Sequence, residues 1–462
     1  DTLSLHDAPP ILLMKNLTTE NNEVTISKWL KKEIGLLEAI TIVIGMVIGS
    51  GIFFKASSIF KNAGTPMRGI MAWVIGGLIT AAAALTVAEV ATAFPTTGGV
   101  FVYLKELYGK KWAFLFGWMQ TLIYVPGVVA ALSIVLVTQS TYFIPSLTTI
   151  QQKILAIIIL FFLMIINILS TKLGSKLQVV ATIAKLIPIF VIIIVGLVKG
   201  TAHDFIAPVA SSNPVGLAGF GAAILGTLWA YDGWISVGNM SGELKNAKKD
   251  ISRSIIIGLS IIIIVYLFIN IAIINVMPVT EVIASSKPAS DVAVILFGRT
   301  GAALIAAGIM ISIFGALNGY LMTGVRIPFA MVKDNLLPFS KFFGKVDNRF
   351  NAPINIFAFE MILASFYILS GSFDTLTNLI VFIMWIFFTM CIAGVFILRS
   401  KHKDIKTPYK VPFYPITPLI GITGGVFILV STLITDSSNA IYGIIITLLG
   451  LPVYLYMRKN IK

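Results

Sequence analysis

Apolar residues run along this chain in long blocks parted by short polar stretches. Most blocks approach the roughly 20 residues that a helix needs to cross about 30 Å of hydrocarbon. Twelve can be marked, at 35–54, 70–94, 113–142, 154–169, 177–198, 219–240, 254–276, 302–332, 353–369, 375–398, 415–434 and 440–457. The fold class expected is an all-α polytopic membrane protein, and two of its blocks are interrupted. The first contains Gly45-Met-Val-Ile-Gly49-Ser50-Gly51-Ile-Phe53, three glycines within seven residues. Glycine costs a helix interior about 1 kcal/mol against alanine, and lipid tolerates unpaired backbone only where it is buried in protein or lines a cavity. A break here therefore suggests a binding site. A packing face of the Gly-xxx-Gly type, built on Gly45 and Gly49, is the alternative.

The sixth block carries Gly226-Thr-Leu-Trp229-Ala230-Tyr231-Asp232-Gly233-Trp234, an acid and two glycines in mid-span. Interrupted spans at matching places in two halves point to an inverted-repeat transporter that holds substrate at the midplane. The division expected is a cytoplasmic tail at 1–33, a first repeat of five spans at 34–200, a second of five at 201–400, and two extra spans with a cytoplasmic C-terminus at 401–462. The repeat rests on the positions of the breaks alone. Within the tail, Met14 reads as the native start and 1–13 as a remnant.

Composition agrees with a membrane chain. Hydrophobic residues make up 57% and charged residues 12%, and the mean hydropathy is +0.95, outside the range of soluble globular proteins. The net charge of +14 does not call for nucleic acid, because the basic residues cluster between apolar blocks. One alternate set of connections is rich in them: Lys28, Lys31 and Lys32; Lys105, Lys110 and Lys111; Lys172 and Lys176; Lys245, Lys248, Lys249 and Arg253; Lys333, Lys341, Lys345 and Arg349; Arg399 to Lys410; and Arg458 onward. The other set carries only Lys55, Lys61, Arg68, Lys153, Lys199, Lys287 and Arg299. By the positive-inside bias both termini face the cytoplasm of a plasma-membrane protein. Cys391 stands alone, and His6, His203 and His402 lack metal-ligand spacing. No metal, no cofactor and no enzyme chemistry are expected.

At the first break, beside Gly49, the backbone N–H groups of Ser50 and Gly51 would open a half-helix whose positive end suits a carboxylate. Carbonyls freed at Val47 and Ile48 suit an ammonium, and Trp229, Ala230 and Asp232 could add more. Together these make a receptor for a zwitterion, most naturally an amino acid. Asp232 could equally cap the second half of its span, and Trp229 could either close over a substrate or simply pack.

Lys185 lies about 12 Å into the fifth block, near mid-membrane. An ammonium there costs about 3 kcal/mol or more unless paired, so function is the default. The preferred role is a fixed cation that organises the carbonyls of the first break where another carrier could hold a metal ion; snorkelling toward the cytoplasm is the bland one. Glu38, Glu89, Arg326 and Glu360 lie nearer span ends, within expected reach of water. Tyr266 and Asn270 fall one turn apart on one face and could line the site or merely pack.

These motifs resemble the L-amino-acid transporter (LAT) family of the amino acid-polyamine-organocation superfamily. The resemblance runs from Ile34 to the last span. It rests on Ile48-Gly-Ser-Gly-Ile-Phe53, Pro95-Thr-Thr-Gly98-Gly99, Trp229-Ala-Tyr-Asp-Gly-Trp234 with Gly242-Glu243, Lys185 ahead of Ile187-Pro188, and Asn318-Gly319, Arg326 and Leu337-Pro338. Bacterial serine/threonine or alanine/serine/cysteine exchangers are closest in look. The resemblance implies the LeuT-type five-plus-five fold and sodium-independent exchange of small neutral L-amino acids such as alanine, serine and threonine. It also implies a gating role for Trp229 and a role in transport for Lys185 and Tyr266. Animal members join a glycoprotein subunit through a cysteine between spans 3 and 4. The corresponding loop, Phe143 to Lys153, has none, so no such disulfide-linked partner is expected. Rival readings are a proton-coupled amino acid or polyamine symporter using Glu89 or Asp232, and a channel or non-transporting receptor.

Overall fold

The computed structural model describes residues 34–169, 171–201, 216–347, 352–371, 373–405 and 407–460, with Lys32, Arg349 and Phe350. The tail residues before Lys32, including Met14, Lys28 and Lys31, lie outside the described residues, as does His203. So do the side chains of Lys172 and Lys176.

The first block is the pair α1 (Leu36–Val47) and α2 (Gly51–Ala63), bent by 41° at the glycines. Then follow α3 (Pro66–Ala93), α4 (Val100–Tyr108), α5 (Lys110–Ser140), α6 (Thr149–Leu169), α7 (Thr171–Lys199), α8 (Leu217–Ala230) and α9 (Ser236–Asn239). The remainder comprises α10 (Ala247–Val276), α11 (Val279–Ala284), α12 (Pro288–Gly324), α13 (Arg326–Lys333), α14 (Ser340–Phe343), α15 (Ile354–Ser370), α16 (Phe373–Lys401), α17 (Ile416–Thr435) and α18 (Ser437–Asn460). Among the described residues, 9 helices are long and apolar enough to cross a membrane, or 10 with the bent pair; α8 and α15 are shorter apolar helices. The protein is a multi-pass, all-helical membrane protein, and every apolar block falls on one of these helices or pairs.

Two boundaries differ most from the sequence reading. Lys55, assigned to a connection, lies inside α2 and is only 2% exposed, so the first span runs on to Ala63, where Gly64 ends it at a φ of 77°. The eighth block begins earlier, at Pro288, with Gly298 at a φ of 66° interrupting its outer part.

In lipid, helices gain nothing from hiding apolar surface from one another, so close backbone approach and buried polar contacts hold the bundle together. α1 is enclosed by α10, α7 and α12, while α2 packs on α8. Outward faces stay apolar: on α6, Ile154, Ile158, Phe162, Ile165 and Leu169 recur every three or four residues and are exposed.

Three acid and base side chains expected to reach water are instead buried. Glu89 accepts from Arg399 through both oxygens, at 2.9 and 2.8 Å, and from Val411 N–H at 2.6 Å. Arg326 pairs with Glu243, and Glu360 is fully buried with no partner for either oxygen among the described residues. Only Glu38 is exposed.

Candidate functional site

The break is a change of hydrogen-bonding partners. Ile48 N–H still donates to Ile44 O, but Gly49 N–H turns back to Val47 O at 2.8 Å, and α2 starts afresh with Ser50 O accepting from Phe53 and Phe54. Among the described residues, no carbonyl accepts from the N–H groups of Ser50, Gly51 or Ile52. These three donors open a new helix at its positive end, which is a place for an anion.

The carbonyls on the other side of the break do have partners. Lys185, at 0% exposure, reaches in from α7 and donates to Gly45 O and Ile48 O, each at 2.6 Å. Ser312 Oγ adds a longer bond to Ile48 O, 3.3 Å. An ammonium has three protons, and here two serve backbone oxygens that the glycine break released. Tyr266 OH lies 2.8 Å from both Val47 O and Ala230 O. Its single proton serves one carbonyl at a time, so this hydroxyl sits between the two broken spans. Asn270 donates to Tyr266 O one turn away, at 2.8 Å, and steadies the tyrosine's turn rather than reaching the break.

The two breaks also touch directly. A Cβ placed on Gly51 would lie 2.4 Å from Ala230 Cα, so this position has room only for hydrogen. Trp229 Nε1 donates to Ser50 Oγ at 3.3 Å, and its ring meets Phe373 edge-on with centroids 5.9 Å apart. Phe373 in turn packs on Phe54, and Lys55 lies 5.0 Å over its ring while donating to Thr377 at 2.8 Å. Trp229 thus belongs to an aromatic layer over the start of α2.

Asp232 does not cap the second half of its span. The chain turns through residues 231–235, with Gly233 at a φ of 102°, and α9 begins at Ser236 without a side-chain cap. The Asp232 carboxylate instead accepts from Tyr124 at 2.5 Å and Tyr320 at 3.1 Å, both on Oδ2. Neither tyrosine stood out in the sequence, although Tyr124 had a signal. Pro126 has no N–H to give Leu122 O; the helix widens into a π turn at Gln120–Tyr124, and Tyr367 OH takes up the Leu122 carbonyl at 2.9 Å. Such turns recur at functional sites.

Toward the basic loops the bundle is latched. Arg326 Nε and Nη2 donate to the two oxygens of Glu243 at 2.6 and 2.9 Å. Ile34 N–H donates to Glu243 O at 3.0 Å and Lys245 N–H to Ile34 O at 2.9 Å. Gly242 N–H bonds Thr97 Oγ1, which brings the Pro95–Gly99 turn into the same knot. At the opposite end of α2 a cavity of about 340 Å³ is lined by Lys55, Lys61, Asn62, Gly226, Asn378 and Asp436 among others. No group of three histidine, cysteine, aspartate or glutamate side chains suited to a metal ion occurs among the described residues.

Comparison with known proteins matches the amino acid permease family to residues 34–453. The chain is 42% identical over 438 residues to the serine/threonine exchanger SteT of Bacillus subtilis, covering 93% of this chain and 98% of that protein. It is 29% identical to the mouse b(0,+)-type amino acid transporter 1, over 92% of this chain and 88% of that one. The human large neutral amino acids transporter small subunit 2 is 30% identical, over 92% and 80%.

Proposed function

The chain belongs to the amino acid permease family, and from that premise we propose that it exchanges small neutral L-amino acids across the cell membrane by alternating access, without sodium. Serine and threonine are the first substrates to consider, with alanine beside them, because SteT is named for exchange of the first two. One observation carries the ion independence: the Lys185 ammonium lies between two carbonyls of the break, where a transporter of this design can hold a coupling cation.

In this reading the substrate carboxylate lies on the N–H groups of Ser50 and Gly51, joined by Ile52, and is favoured there by the start of α2. The ammonium meets carbonyls at the end of α8, from Trp229, Ala230 and Asp232. Val47 O, Ala230 O and Ile48 O already take donors from Tyr266 and Lys185, Trp229 O accepts from Asp232 N–H, and each offers only its remaining lone pair. The breaks of α1–α2 and α8–α9 are corresponding points of two five-span repeats, and α17 and α18 complete twelve crossings. Both termini lie on the basic, cytoplasmic side. No disulfide-linked glycoprotein subunit is required. Proton coupling through Glu89 is disfavoured, since Arg399 and Val411 already engage its carboxylate.

Proteoliposomes loaded with unlabelled serine should take up labelled serine much faster than empty ones, and should do so equally in sodium and potassium buffers. Equal uptake into loaded and empty vesicles overturns exchange, and a requirement for sodium overturns the role given to Lys185.

The Arg326–Glu243 latch marks the conformation closed toward the basic side. Arg326→Ala leaves a carboxylate buried without its partner, a loss of about 3–5 kcal/mol in such pairs. The expected result is a clear fall in the thermal midpoint in detergent, partly recovered by adding Glu243→Gln. An unchanged midpoint in the single variant would show that the pair is not buried.

A further inference from the structure

Away from the break, Trp118, Leu122, Pro328, Leu337, Phe343 and Phe359 surround a groove of about 430 Å³. The one hydroxyl in its wall, Thr121, donates to Gly117 O at 2.8 Å, so the groove has no polar group to hold water, which needs two or more partners. In a bilayer, hydrocarbon fills such a space. At its mouth Phe339 is 81% exposed and has a φ of 56°, a left-handed backbone that is costly for a bulky side chain. Phe342 beside it is 59% exposed.

The same short turn is basic. Lys341 lies between Phe339 and Phe343, Lys345 follows two residues later, and both are exposed. The flanking carboxylates are engaged: Asp334 with Lys105 Nζ at 2.8 Å, and Asp347 with the N–H groups of Arg349 and Phe350. An apolar groove with a cationic lip matches a molecule with a hydrocarbon tail and an anionic head. We propose that this groove holds one acyl chain of an anionic phospholipid, with the lipid phosphate against Lys341 and Lys345. Two of its walls bear on transport: Thr121 and Leu122 belong to the π turn that carries Tyr124, and Pro328 is two residues from Arg326.

Trp118 reports on the site, since its ring lines the groove and its Nε1 is tied to Ile446 O at 3.2 Å. Fluorescence of the whole protein, less that of a Trp118→Phe variant, is followed as lipids with dibrominated chains are added. Dibrominated phosphatidylglycerol should half-quench the Trp118 signal at a mole fraction at least about fivefold below that of dibrominated phosphatidylcholine. The surface variant Lys341→Glu/Lys345→Glu should abolish this preference, and Val453→Phe, in the groove wall, should narrow the groove and weaken quenching by both lipids. Equal half-quenching by the two lipids in the unaltered protein would overturn the proposal and leave only a shared lipid shell. Preference that survives the double charge reversal, or quenching indifferent to Val453→Phe in a protein that elutes as a single species, would overturn it too.

Discussion

Exchange by a Lys185→Ala protein is expected to fall by well over tenfold while the protein still reaches the membrane and elutes as a single species. The ammonium donates to Gly45 O and Ile48 O, both within a fully buried break. Removing it strands Gly45 O and leaves Ile48 O only the longer Ser312 bond, and each buried, unsatisfied polar group costs about 1–3 kcal/mol. Since about 1.4 kcal/mol is a factor of ten, even the low end of that sum moves the break out of its working geometry in most molecules. Serine counterflow in proteoliposomes measures the loss. A Lys185→Ala protein that exchanges at the unaltered rate would remove the ammonium from the mechanism.

The second large effect separates two neighbouring residues. Gly51→Val drives a side chain into Ala230, whose Cα is 2.4 Å from the position of the first added carbon. That contact is with backbone, so no side-chain rotation relieves it, and overpacking typically costs about 1–3 kcal/mol even in more pliable places. Exchange should drop by roughly a hundredfold. Ser50→Ala deletes one long hydrogen bond, from Trp229 Nε1 at 3.3 Å, and leaves the N–H groups of Ser50 and Gly51 in place. A bond of this kind is worth about 0.5–1.5 kcal/mol, and a loss of roughly threefold is expected. The reverse ranking would transfer recognition from the backbone to the Ser50 hydroxyl.

How far these features can be read before folding depends on the distance over which each is encoded. Hydropathy marks a crossing such as Pro66–Ala93 within its own residues, and Gly45, Gly49 and Gly51 announce a bend within two turns. Lys185 stands out because a charge in mid-span is costly wherever it ends up. The partnership of Asp232 with Tyr124 and Tyr320 spans 108 and 88 residues, and nothing local to Asp232 distinguishes that use from a helix cap. Arg326 and Glu243 are 83 residues apart. Taken singly, Arg326 near a helix end looks solvated, and only the fold shows that its water has been replaced by a carboxylate. Lys55 misled for a similar reason: a lysine after an apolar run reads as a loop, whereas Thr377 and Phe373 receive it inside the bundle.

Lys185 carries its charge on a side chain that cannot diffuse away. A dissolved cation at such a break could leave with each turnover and draw on its own gradient. In the exchange proposed above, the positive charge belongs to the chain and stays with it. In that proposal one zwitterion moves in and another moves out, and no net charge crosses. Such a swap would be electrically silent: membrane voltage would neither drive nor brake it, and the ratios of amino acids on the two sides alone would set its direction.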